Sequence, residues 1–237
     1  RVRARRRSRS PSGLGLVLLR VWIRGCAVRA AVLALGVDAE ICWHGDCTLN
    51  GVDAVVVPGG FAHGDYLRPG AIARFSPVMD AVREHAAAGG PVRGICSGFQ
   101  GRTEAGLLPG ALQKNRGLKF LCTTVGLRVE TTDSVLTVEA QVGSVLRVPI
   151  NHFEGNYTCS PEVLAELRDQ DRVVLRYVDN PNGSVDDIAG VTNEGRNVVG
   201  LMPHPERAVS DLLGSADGVP LLRSFLAAAS GRTSAPV

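Results

Sequence analysis

A single-domain α/β fold, with one open and mainly parallel sheet flanked by helices, is predicted by three features. From Gly51 onward, short β-branched runs alternate with longer helical stretches, which is the rhythm of βαβ units. The runs stop at turn-forming groups such as Pro58-Gly59-Gly60 and Gly89-Gly90-Pro91. At 237 residues, 45% hydrophobic and 21% charged, the chain can bury a core that needs no disulfide staple. The same balance excludes a disordered or collagen-like chain.

The elements follow in order. Leu16 to Ile23 reads as a short strand after an Arg/Ser tract. Val52 to Val57 is too short and too branched for a helix and reads as a buried strand. Ala71 to Ala88 carries Ile72, Phe75, Val78, Met79, Val82 and Ala86 at helical spacing, with Pro77 tolerable only near a first turn or a kink. Val92 to Ile95 is a second buried strand, and Gly98 to Leu108 a helix closed by Pro109-Gly110. Val125 to Val129, Val135 to Val138 and Ser144 to Ile150 read as strands, and Pro161 to Arg168 as a helix. Val173 to Val178 and Val198 to Met202 are further strands, and Leu212 to Ala229 is mostly helical. No repeat and no apolar run of membrane-spanning length occurs.

The expected organisation is a basic tail over residues 1–20, disordered or a non-native start, one domain over 21–230 and a flexible C-terminus over 231–237. The first 37 residues contain no acid, so a secretory signal and an organelle transit peptide are the alternatives for the tail. The formal net charge is +3, and Arg1, Arg3, Arg5, Arg6, Arg7 and Arg9 alone exceed it. The body of the chain is therefore slightly acidic, which argues against an extended nucleic-acid-binding face. Six scattered cysteines fit reduced thiols in a cytoplasm better than a secreted scaffold. Cys42, His44 and Cys47 fall within six residues, but no fourth ligand has matching spacing, so no metal site is expected. His63 and His85 read as loop and helix-surface residues.

The chemistry concentrates in Gly94-Ile95-Cys96-Ser97-Gly98, where a strand runs into a helix. This is the thiol form of a nucleophile elbow: the sharp turn lifts the central side chain out of the sheet and demands small neighbours. A cysteine at a helix N-terminus is favoured as thiolate, and the Ser97 backbone N–H is aimed at an oxyanion. Gly59-Gly60, after a strand, lacks Cβ atoms and can turn a second such N–H toward an oxyanion, a simple turn being the alternative. Pro203-His204-Pro205-Glu206 follows a strand at the sheet edge where α/β folds place their sites. His204 and Glu206 project to the same side, so the carboxylate can fix the imidazole tautomer while the other ring nitrogen serves the thiol. A buried packing cysteine and a solvated surface His-Glu pair are the simpler alternatives.

Val57-Pro58-Gly59-Gly60-Phe61, Gly64-Asp65-Tyr66-Leu67-Arg68, Gly94-Ile95-Cys96-Ser97-Gly98-Phe99-Gln100 and Pro203-His204-Pro205-Glu206 together resemble a class I glutamine amidotransferase. The resemblance narrows to the glutaminase subunits of phosphoribosylformylglycinamidine synthase through Thr103 to Leu112, Asn180-Pro181-Asn182-Gly183-Ser184 and Asp187-Ile188-Ala189-Gly190. It implies a flavodoxin-like fold and a Cys96-His204-Glu206 triad. It also implies oxyanion donors at Gly60 and Ser97, and Gln100 helping to hold glutamine. It further implies no cofactor in this chain. ATP and magnesium are expected on a large synthetase partner, which is joined by a small accessory subunit, all in the cytoplasm. No phosphate loop of the Gly-x-x-x-x-Gly-Lys kind is present, in keeping with ATP being handled elsewhere. Asp65, Arg68 and Arg74 would line a partner interface or the glutamine pocket.

Four departures from that family stand out. Leu18 to Arg29 breaks the usual first strand and its loop, Gly101-Arg102 puts a helix-weakening residue and a charge where packing is expected, Ser97 replaces the usual Asn, and Phe153 stands where the family has Gly beside His152. The alternative readings are an amidotransferase-like partner impaired in catalysis and a thiol hydrolase of similar fold.

Overall fold

The computed structural model describes residues 16–20, 25–37, 39–46, 48–49, 51–60 and 76–231. The Arg-rich start, His63, Asp65, Arg68, Arg74, Cys47, the Ala71 to Phe75 part of the expected helix and the last six residues lie outside them.

Nine strands form one sheet. They are β1 (Leu16–Arg20), β2 (Ala39–Trp43), β3 (Ala54–Val57), β4 (Val92–Ile95), β6 (Leu121–Val129), β7 (Val145–His152), β9 (Val173–Tyr177), β10 (Ile188–Thr192) and β11 (Val198–Leu201), in the spatial order β2-β1-β3-β4-β11-β10-β9-β6-β7. From β2 to β11 every pairing is parallel, and from β11 to β7 every pairing is antiparallel. β5 (Ala111–Lys114) and β8 (Glu154–Thr158) make a separate antiparallel pair. The helices are α1 (Gly25–Ala34), α2 (Val78–Ala87), α3 (Ser97–Glu104), α4 (Pro161–Asp169) and α5 (Val219–Ala229).

The central parallel strands β3, β4 and β11 are buried along their whole length. That is why Ala54-Val55-Val56-Val57 and Val198-Val199-Gly200-Leu201 read as unbroken apolar runs rather than alternating ones. α2 turns Val78, Met79, Val82 and Ala86 into the core. Its C-terminal end is tied to the sheet by Asn197, whose Nδ2 donates to the carbonyls of Ala86 (2.8 Å) and Gly90 (3.0 Å). α4 starts where Ser160 Oγ accepts from the Val163 N–H and Pro161 occupies the first turn. α5 buries Leu221, Leu222, Phe225 and Leu226. Among the described residues no helix is long and apolar enough to cross a membrane.

One expected strand is found at the start of the sheet, and two other expectations are corrected. The strand expected over Leu16 to Ile23 is present over Leu16–Arg20, whose backbone pairs in parallel with both β2 and β3. Val135 to Val138 is not a strand but a turn. There the Ser134 and Thr137 hydroxyls bond each other at 2.8 Å, Ser134 Oγ accepts the Leu136 N–H, and Leu136 is buried. These local side-chain bonds compete with a ladder despite the branched residues. The helix expected from Leu212 begins only at Val219; Asp211–Leu213 is a single 3-10 turn ended by Gly214 at φ 96°.

Candidate active site

β4 delivers the chain to Cys96 at φ 55°, ψ −114°, and α3 begins at the next residue. A non-glycine residue in that region is strained and persists only where its surroundings hold it. Here they do: the Cys96 N–H donates to the Leu201 carbonyl at 2.8 Å, while the Cys96 carbonyl accepts from Phe99 and Gln100. The small neighbours are required. A Cβ on Gly94 would lie 2.6 Å from the Gly98 carbonyl oxygen, and one on Gly98 would run into the Val57 carbonyl.

The loop after β3 closes over this elbow. A Cβ on Gly59 would stand 2.8 Å from the Cys96 Cβ and 3.4 Å from His204 Cε1. Gly60 is anchored because Ser97 Oγ donates to its carbonyl at 3.1 Å. Gly60 and Ser97 are thereby held side by side around Cys96, and Ser97 opens α3, where backbone N–H groups lack intrahelical acceptors.

His204 and Glu206 follow β11, and Pro205–Arg207 is a 3-10 turn. Both side chains are buried, and Nδ1 of His204 lies 2.7 Å from Oε1 of Glu206. Burial alone would pull the imidazole down. The Glu206 carboxylate and the neighbouring Cys96 thiol outweigh it and push His204 up to about 9. Burial likewise favours protonated Glu206, but the attraction of His204, its hydrogen bond and the charge of Arg93 hold the carboxyl below its usual range. The strand β7 reaches the same spot: the His204 N–H donates to the Pro149 carbonyl at 2.8 Å, and Cys96 Sγ lies 3.8 Å from the Asn151 carbonyl oxygen.

Gln100 is buried one turn into α3, its Nε2 donating to Glu154 Oε2 at 2.9 Å. Glu154 starts β8, and the motifs peculiar to the resemblance hold that strand in place. Tyr157 stacks on Phe99 with ring centroids 5.8 Å apart and donates from its hydroxyl to the Pro109 carbonyl. Asn182 Nδ2 donates to the Gly155 carbonyl at 2.8 Å, and Ser184 Oγ accepts the Tyr157 N–H. His152 is buried beneath this wall, its Nδ1 3.1 Å from Asn115 Oδ1. Burial and the nearby His204 push it down to about 3, so it is neutral at ordinary pH.

The structure therefore brings Cys96, His204, Glu206, Gly60, Ser97 and Gln100 together. Glu154, Asn151 and Arg93 were missed. Arg93, a charge inside Val-Arg-Gly-Ile, was the one with a readable sequence signal. The helix after the elbow ends at Glu104 rather than Leu108. Arg102 is fully buried there, with Nη1 3.7 Å from Met79 Sδ. Cys42 points its thiol at Asp46 Oδ2, 3.3 Å away.

Residues 27–217 match the family of CobB/CobQ-like glutamine amidotransferase domains. The chain is 57% identical over 199 residues to the phosphoribosylformylglycinamidine synthase subunit PurQ of Rubrobacter xylanophilus, covering 84% of this chain and 90% of the relative. It is 53% identical over 220 residues to the PurQ subunit of Koribacter versatilis, covering 89% and 92%. Among solved structures, a chain of PurLQS from Thermotoga maritima superposes with a TM-score of 0.82 at 38% identity, covering 90% of this chain and 98% of that one. Identity above one half along nearly the full length of such subunits leaves one conclusion: the chain belongs to the PurQ family, the glutamine amidotransferase subunits of phosphoribosylformylglycinamidine synthase.

Proposed function

We propose that Cys96, His204 and Glu206 carry out glutamine hydrolysis in this PurQ-family chain, with Gly60 and Ser97 as oxyanion donors. The observation that carries the reading is the buried 2.7 Å His204–Glu206 pair beside a cysteine held at positive φ at the head of α3. Cys96 gives its thiol proton to His204 and its Sγ attacks the side-chain amide carbon of glutamine, while the negative charge on the amide oxygen meets the backbone N–H groups of Gly60 and Ser97. His204 hands a proton to the amide nitrogen, the C–N bond breaks, and ammonia leaves a γ-glutamyl thioester. A water molecule then gives its proton to His204 and attacks the thioester carbon. The C–S bond breaks, glutamate departs and the sulfur regains its proton. Gln100, braced by Glu154, helps to hold the glutamine.

The ammonia passes to a large synthetase subunit that is joined by a small accessory subunit. These convert formylglycinamide ribonucleotide to phosphoribosylformylglycinamidine in purine biosynthesis, with ATP and magnesium bound by the synthetase. The likeness to a chain of PurLQS from Thermotoga maritima supports this assembly. The cytoplasm is the compartment that suits a soluble precursor pathway and unpaired thiols.

Cys96→Ala tests the reading. In the assembled complex it should lower glutamine-dependent synthesis by at least about 10³-fold while ammonia-dependent synthesis survives, because external ammonia needs no thiol. Loss of both activities would contradict the division of labour.

A further inference from the structure

Beside the wall that braces Gln100, the chain leaves one sheet for another. β7 ends at His152 in the main sheet and β8 begins at Glu154 in the two-stranded one, so Phe153 alone makes the crossing. The partner strand β5 ends beside it at Lys114, which pairs with Glu154 where the register shifts. The freedom left by such an irregular ladder must be removed by other bonds. The next residue, Asn115, supplies them: it is 1% exposed, and its N–H donates to the Phe153 carbonyl at 2.9 Å. Its side-chain Nδ2 donates to the carbonyls of Lys119 (2.9 Å) and His152 (3.0 Å), while Oδ1 accepts from the Gly155 N–H (3.2 Å) and faces His152 Nδ1 at 3.1 Å. Every bonding position of the amide is thereby used. Its main-chain partners can only donate or only accept, so the amide has one orientation, and His152 Nδ1 is the donor to Oδ1. Gly155 completes the lock, because a Cβ there would stand 2.2 Å from His152 Cε1.

We propose that Asn115 is a positioning residue for glutamine binding: it locks the bend over 152–155 so that Glu154 meets Gln100. The inference rests on the reading above that Gln100 holds the substrate. Glu154 Oε2 accepts from Gln100 Nε2 at 2.9 Å. A carboxylate can only accept, so it keeps the nitrogen end of that amide on β8. Turned end for end, the same amide would offer the substrate a donor in place of an acceptor. Glu154 sits between two residues that Asn115 grips, Phe153 through its carbonyl and Gly155 through its N–H. A backbone fixed on both sides holds the carboxylate on Gln100, and Asn115 acts on the substrate through that contact.

The test is a double-mutant cycle on glutamine-dependent synthesis, using full chains assembled with the synthetase and accessory subunits. Asn115→Leu keeps the volume and removes every side-chain bond, and Glu154→Gln lets the Gln100 amide bond in either orientation. Each alone should raise KM for glutamine about tenfold, with kcat of Asn115→Leu within about threefold of wild type. Because Asn115 works through Glu154, the double variant should also stand at about tenfold rather than about a hundredfold. A merely structural loss would lower the active fraction and hence kcat, leaving KM in place. Should Asn115→Leu not fold, Asn115→Asp carries the same cycle: it keeps the acceptors for Gly155 and His152 but loses both donors, so KM should rise about threefold. An unmoved KM in the folded Asn115 variant, or single effects that multiply in the double variant, would overturn the proposal. Failure of the underlying reading looks different: Gln100→Ala would then leave KM unmoved, or Cys96→Ala would keep its glutamine activity.

Discussion

Arg93 and Arg102 are the most deeply buried arginines among the described residues, and their surroundings differ. Arg93 on β4 shares the interior with Glu206 and the ring face of Phe225. Arg102 on α3 has a methionine sulfur near Nη1, no hydrogen-bond partner at Nε or Nη2, and the cation of Arg83 close enough to disfavour its charge further. Burial draws Arg102 down to about 9, lower than Arg93, which has Glu206 to oppose the same penalty. A buried charge is costly unless an opposite charge shares its interior. Glu206 offsets the burial of Arg93, whereas among the described residues no acid does the same for Arg102 beside Met79.

The contrast can be broken most forcefully at its carboxylate. Glu206→Ala leaves His204 and Arg93 buried without their counter-charge, so denaturant titration should show a loss of about 3–5 kcal/mol. Glutamine turnover should fall by about 10² to 10⁴, because the imidazole loses its orienting acceptor. At the other arginine the sign reverses. Arg102→Met replaces an uncompensated cation with packing of similar volume and should raise unfolding free energy by about 1–4 kcal/mol in the same measurement. A neutral or destabilising result would show that Arg102 is compensated after all.

The smallest effect sharpens the site side by pH. The folded His204 sits at about 9, above its ordinary 6.5. Its contribution is therefore fully present below pH 6.5 and is lost as pH rises through about 9. Glu206 has the opposite sense: its contribution is present above the usual carboxylate range and is lost as acid protonates it. Thermal melts should show stability falling from pH 6.5 to 9 by on the order of 1–3 kcal/mol, a drop of several degrees for a chain of this size. His204→Gln should flatten that slope.

Some of this was legible in the chain itself. Gly94-x-Cys96-x-Gly98 announces its elbow because only glycines fit where Gly98 meets the Val57 carbonyl. Pro203-His204-Pro205-Glu206 announces its pair because the two partners are two residues apart. The brace between Gln100 and Glu154 spans 54 residues, and no local pattern announces it. β5 and β8 were likewise missed. Ala111-Leu112-Gln113-Lys114 and Glu154-Gly155-Asn156-Tyr157-Thr158 have little strand propensity of their own and pair only because Tyr157, Asn182 and Ser184 lock them over α3.

By itself, then, the sequence determined the features that depend on short-range sterics and apolar runs: the buried parallel strands, the strained turn at Cys96 and the adjacency of His204 to Glu206. Tertiary structure alone decided the antiparallel half of the sheet, the wall that braces Gln100 and the fates of the two interior arginines. The reason is electrostatic and geometric. Whether a buried charge is compensated depends on which distant groups the fold brings within range, and desolvation takes effect only once the chain has closed around them.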